Sequence, residues 1–235
     1  PPAEREERVL EGLHAAVVGG PQGRPSVESA LHAQLGRVVV HTHPAAVNAI
    51  TCGPGKAALS ELTEEGEKPP LWIPFAPGYL LARAVRAGIS GYRAEHGAEP
   101  RVFFLENHGI FVSTDSAKES LELHEEWFER CENYFAEHQG ELVDPKMVES
   151  PDLRVVMAAA RKALSEKIGG PVFLRFSGDW ELVAAACTAA GGTLSEGALT
   201  PDQIVYCGSR AVLADTLREA AEGLALHAGE PGAPW

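Results

Sequence analysis

Three valines run directly into His41-Thr42-His43, and Pro44 follows at once. A β-branched run of this kind suits a buried strand, and proline, with no N–H to give to a ladder, ends it. Side chains alternate along a strand, so His41 and His43 project to one side while Thr42 projects to the other. The fold must therefore bring two imidazoles together at the tip of a stiff apolar element, where loops and ligands gather. Two such rings are part of a ligand set, because an open catalytic zinc site takes three protein ligands, nitrogens lying about 2.0–2.1 Å from the ion, plus a vacant position.

The surrounding pattern is that of an α/β chain. Residues 24 to 35 read as a short helix with a start signal at Pro25 and Ser26. AAVNAITC after Pro44 reads as a helix, GPGKAALSELTEEGEKPP as a polar connection, and GYLLARAVRAGISGY as a second helix. VFFL and IFV are two β-rich runs broken by Glu-Asn-His-Gly, where Gly109 permits a turn. Ala117, Leu121, His124, Phe128, Cys131 and Phe135 then recur in steps of four and three, predicting one long helix with a buried stripe. Ser116 and Glu119 fit a capping box at its start and Gly140 a stop at its end. Beyond GELVDPKMVESPD, which reads as a linker, helix, strand (PVFLRF), helix, strand (QIVYC) and helix alternate. The expected organisation is a metal-binding domain over residues 1–145 and a small α/β unit over 150–235. The abrupt start at Pro1-Pro2 suggests that part of the first domain precedes it.

Of the nine histidines, His108 is the best candidate for the third ligand, since it lies at a break between β-runs between Asn107 and Gly109. His14, His32, His96, His124, His138 and His227 occupy helical or polar stretches. His-x-His on a strand is common without a metal, and the Asn-His-Gly turn adds only modestly to it. Glu28, read alone, is a helix-start carboxylate that satisfies backbone donors.

Four features in order resemble the class II aldolase/adducin family, which includes fuculose-phosphate and rhamnulose-phosphate aldolases and ribulose-phosphate 4-epimerase. They are Pro25-Ser26-x-Glu28, the strand ending in His41-x-His43, the segment Trp72 to Tyr79, and Asn107-His108-Gly109 before a long helix, and together they span roughly residues 10–140. The resemblance implies a three-layer α/β/α fold around a mainly antiparallel sheet. It implies that His41, His43 and His108 ligate a divalent ion, most simply Zn2+, and that Glu28 is the general acid/base. It further implies retro-aldol cleavage of a small sugar or sugar phosphate through a metal-stabilised enediolate. Epimerisation, decarboxylation or dehydration would use the same site, whereas adducin-like assembly domains lack the histidines. Ser26 and Asn107 are candidate substrate contacts, Asn107 serving equally well to cap its turn. His32, one helical turn after Glu28, is either a partner that orients the carboxylate or a packed histidine, and His124 is assigned to packing. Tyr79, Tyr92 and Tyr134 are unranked candidates for a catalytic acid.

The chain departs from the family at the phosphate-binding residues. Where the aldolases carry Ser-Ser before the glutamate, it reads Ser26-Val27, and their Gly-Asn loop has no counterpart. No GxGxxG is present, and Lys56 in GPGKA lacks the flanking residues of a nucleotide-binding loop. A formal charge of −13 disfavours nucleic acid and anionic membranes as partners. No apolar run approaches the roughly 18 to 20 residues of a bilayer span. Cys52, Cys131, Cys187 and Cys207 form no CxxC pair and read as reduced packing residues. These features predict a soluble cytoplasmic protein, which by resemblance would be a homo-oligomer, commonly a tetramer.

Overall fold

The computed structural model describes residues 2–19, 25–26, 28–74, 78–138, 153–174, 200 and 202–203. The chain divides into two compact units, Pro1–Gln139 and Gly140–Trp235. In the first, the elements follow the order α1 (Pro2–Ala15), α2 (Ser29–His32), β1 (Val38–Thr42), α3 (Ala45–Thr51), a 3-10 turn (Gly55–Ala58), α4 (Leu59–Leu62), β2 (Leu71–Ile73), α5 (Tyr79–His96), β3 (Val102–Leu105), β4 (Gly109–Thr114) and α6 (Ala117–His138). In the second, α7 covers Leu153–Ile168.

The four strands form one sheet in the order β1-β4-β3-β2, antiparallel at β1/β4 and β3/β4 and parallel at β2/β3. Alternate residues send their side chains to opposite layers. On one face Phe104, Ile110 and Val112 pack with Val47, Ile50, Leu59, Leu62, Trp127 and Cys131 of α3, α4 and α6. On the other, Ile73, Phe103, Leu105 and Phe111 pack with Leu31 of α2 and Leu81, Val85 and Ile89 of α5. The first unit is thus an α/β/α sandwich around a mainly antiparallel sheet, as expected.

Several local expectations change. The helix predicted over residues 24–35 contracts to α2, because Ser26 and Glu28 are held in a turn by the Glu28 amide, which donates to Ser26 Oγ at 3.2 Å. The connection GPGKAALSEL contains the 3-10 turn and α4, its leucines driven into the core. Rather than being fully buried, β1 is half-buried along its whole length, since it lies at one end of the four described strands. The buried side of α6 runs through Ser120, Trp127 and Cys131, leaving Leu121 and Phe135 about half exposed. Two adjacent stripes on this helix share Cys131, and the one carrying the large Trp127 faces the sheet. At the start of α6, the Glu119 amide reaches Ser116 Oγ only at 3.5 Å, and the Glu119 carboxylate pairs with Arg101 instead of closing a capping box.

Residues 171–174, within the predicted strand PVFLRF, adopt no regular element, and the later helices and strands of the expected C-terminal unit lie outside the described residues. Cys52 and Cys131 are free thiols, while Cys187 and Cys207 are also outside the description. No described helix is long and apolar enough to cross a membrane.

Candidate metal centre

His41 stands on β1 directly opposite Phe111 of β4. Its Nδ1 lies 2.9 Å from the carbonyl oxygen of Ile110, and a carbonyl can only accept, so Nδ1 carries the proton. With Nδ1 donating to that carbonyl, Nε2 is the nitrogen left to bind an ion. His43 follows the last ladder pair, Thr42↔Ile110, and brings its Nε2 to 2.9 Å from Nε2 of His41. The third ring comes from the turn between β3 and β4. There Asn107 takes a left-handed conformation, φ 54°, and its amide donates to Thr51 O, while the His108 amide donates to Leu105 O at 3.1 Å. This geometry delivers the His108 ring to the ends of β1 and β4, where it is only 2% exposed.

Asn107, not Gly109, provides the unusual backbone angle in this turn. Gly109 is required for a different reason: a Cβ there would lie 2.5 Å from the Thr42 carbonyl oxygen and 2.7 Å from His43 Cδ2. The absence of a side chain lets β4 approach the strand tip that carries the histidines.

One ligand atom from each of His41, His43 and His108 lies within 4.8 Å of the others. A tetrahedral ion bound at about 2.0–2.1 Å places its nitrogens roughly 3.4 Å apart, a spacing within reach of modest ring rotations. The donor chemistry fits a cation. Nε2 of His41 lies 2.9 Å from Nε2 of His43 and 3.5 Å from Oε1 of Glu28. Oε1 of Glu28 also lies 3.2 Å from Nε2 of His108, and Nδ1 of His108 is buried with no hydrogen-bond partner. Three converging ring nitrogens, a carboxylate beside them and an unpartnered buried nitrogen on His108 form a set that an ion would satisfy.

Glu28 occupies the N-cap position of α2 without a side-chain capping bond, and it is half-buried. Hydrogen bonding from His108, whose Nε2 lies 3.2 Å away, holds its carboxyl well below the usual carboxylate range, against the opposing effect of burial, so it is an anion. Ser26, whose hydroxyl accepts from the Glu28 amide, lies beside it on the exposed side, and Asn107 is exposed next to His108.

The other described histidines do not join this cluster. The ring of His32 meets Phe111 edge-on at 5.2 Å and lies 6.4 Å from His41, and burial pushes its pKa down. These contacts match its packing role better than a bond to Glu28. His96 lies against Tyr92 and His138 stacks on Tyr134 at the ends of α5 and α6. The Tyr92 hydroxyl donates to the Pro69 carbonyl, and Tyr79 opens α5, where its amide donates to Glu6 Oε2. His124 is more than a packing residue: its Nε2 lies 2.6 Å from Thr42 Oγ1, behind the His-x-His pair. Its place on α6 was legible, but which strand residue it would meet depends on helix-to-sheet docking, which periodicity does not encode.

Residues 4–135 match the family model described as the Class II Aldolase and Adducin N-terminal domain. Among solved structures, the chain is similar to the N-terminal class II aldolase domain of a conserved protein from Thermoplasma acidophilum, at 25% identity and a TM-score of 0.46. That alignment covers 55% of this chain and 57% of the other. The curated proteins contain no match.

Proposed function

The chain belongs to the class II aldolase and adducin family, and from that premise we propose that it is a metal-dependent lyase which cleaves a carbon–carbon bond of a small sugar or sugar phosphate. The observation that carries this reading is the convergence of His41, His43 and His108 on one point beside an ionised glutamate.

The three imidazoles would hold the ion, with His41 fixed in the metal-binding tautomer by the Ile110 carbonyl. Three nitrogen donors suit zinc, although imidazole also binds other divalent ions. When bound, such an ion supplies Lewis-acid polarisation of carbonyl and hydroxyl oxygens. Glu28 performs the proton transfers. As an anion it takes the hydroxyl proton from the carbon that becomes the new carbonyl while the bond to the neighbouring carbon breaks. The same carboxyl then returns the proton to the carbon left behind. Ser26 and Asn107, both exposed and adjacent in sequence to Val27-Glu28 and His108, would contact substrate hydroxyls. The same residues would serve an epimerase, decarboxylase or dehydratase, since each needs a proton moved beside a polarised oxygen.

The adducin-like alternative, a non-catalytic assembly domain, has no use for three convergent imidazoles and a charged carboxylate. Its characteristic result would be less than about a tenth of an equivalent of divalent metal after reconstitution. The lyase reading predicts close to one equivalent, and cleavage of a ketose or ketose phosphate into two smaller carbonyl compounds, scored by the carbon count of the products. Products with all carbons retained would replace cleavage by epimerisation or dehydration. We assign the working form as a cytoplasmic homo-oligomer that binds no nucleic acid; light scattering that finds only a 25.0 kDa species would refute the oligomer.

A further inference from the structure

We infer that His124 is a positioning residue for the His41/His43 ligand pair, acting through Thr42 from the opposite face of the sheet; this rests on the metal-binding role proposed above. Thr42 separates His41 from His43 and points away from them, and its Oγ1 lies 2.6 Å from His124 Nε2 on α6. The contact falls at a mechanically critical place. The β1/β4 ladder ends at Thr42↔Ile110, so His43 is already beyond the last cross-strand pair. His41 is oriented within the ladder by the Ile110 carbonyl. Among the contacts that hold His43 are the backbone of Thr42 before it and Asn48, whose Nδ2 donates to the His43 carbonyl at the long distance of 3.3 Å.

Ser120, one helical turn before His124, makes the matching contact at the other end of the strand: its hydroxyl bonds Thr114 Oγ1 at 2.8 Å and reaches the Val38 carbonyl at 3.4 Å. Thus α6 grips β1 at Val38 and at Thr42, its first and last residues. In a strand, a twist that moves Thr42 on one face moves its two neighbours on the other. Releasing the Thr42 hydroxyl therefore frees the direction of the His43 ring, not merely a buried side chain. The bond is short, half-buried and shielded by the helix, conditions under which a hydrogen bond orients effectively.

The test uses the full chain and zinc itself, with affinity measured by competition against a chromophoric chelator and geometry by the visible absorption of the Co2+-substituted protein. Thr42→Val removes the hydroxyl with little change in shape, His124→Leu removes the ring, and His124→Gln keeps a polar group near the position of Nε2. Thr42→Val and His124→Leu are each expected to weaken zinc about tenfold or more, the scale of loss when ligand orientation is disturbed, and to shift the Co2+ bands. The double variant should be no worse than the weaker single one, and His124→Gln should remain within about threefold of the parent. Were His124→Leu to misfold, Thr42→Val would carry the test. Parental affinity and unchanged Co2+ bands in Thr42→Val would overturn the inference while leaving the metal site standing. Failure of the parent protein itself to take up either metal would instead remove the proposed function and the inference with it.

Discussion

The rings of His41 and Phe111 lie face to face, centroids 3.7 Å apart and planes 5° from parallel, on residues that are direct partners across β1 and β4. Phe111 is fully buried, with His32 edge-on to it, so the His41 ring is clamped between a carbonyl on its edge and an aromatic plane on its face. Phe111→Leu keeps an apolar side chain but removes that plane. The expected result is a folded protein whose zinc affinity falls about tenfold, in the range typical of lost ligand support. An unchanged affinity in a chelator competition would show that the Ile110 carbonyl alone orients the ring.

Glu28→Gln separates metal binding from proton transfer. The amide keeps the shape of the side chain but not its charge, and the three imidazoles remain. Metal content should stay near that of the parent protein, while turnover of the substrate that the parent cleaves falls by roughly two to four orders of magnitude, the usual contribution of a general base. Full activity would remove Glu28 from the mechanism.

Gly109→Ala tests the close approach of β4 to the tip of β1. With its Cβ 2.5 Å from a backbone oxygen that cannot give way easily, the variant is expected to lose about 1–3 kcal/mol in denaturant unfolding. It should also bind metal more weakly, because the same Cβ meets the His43 ring. Gly91→Ala, on an exposed turn of α5 with open space around it, serves as control and should be neutral or stabilising by up to about 1 kcal/mol.

Much of this site is written in local sequence. Alternation along Val38–Thr42 puts His41 and His43 on one side, and the break between VFFL and IFV isolates His108. Both signals survive folding because strand geometry is the same wherever the strand lies. What local pattern does not carry is register and docking. That Phe111 faces His41, that Ile110 sets a tautomer and that His124 meets Thr42 all depend on how β4 and α6 are placed against β1. The stripe on α6 was displaced for the same reason, because two overlapping stripes exist and only the sheet selects between them. The three residues of β2 are too few for periodicity to declare.

Burial pushes the Cys131 thiol up from its ordinary value of 9.0 to about 12. Between these values the native state keeps a proton that the unfolded chain releases, so stability falls as pH rises through this window and is unaffected by Cys131 below it. The slope contributed is at most about 1.4 kcal/mol per pH unit. Urea unfolding from pH 7.5 to 10.5 should show a steeper decline for the parent protein than for Cys131→Ala. Parallel curves would show that the thiolate forms without penalty in the fold.

The donors of the centre are carried by two stretches distant in the chain, the end of β1 and the turn after β3, and they meet just past the final rung of the ladder. An ion seated there would act as a rivet, closing the open end of the sheet where backbone pairing has run out. Chemical readiness and mechanical closure would then be a single event. Fraying at Thr42 and Ile110, visible as rapid amide exchange in the metal-free protein, would be quenched on loading.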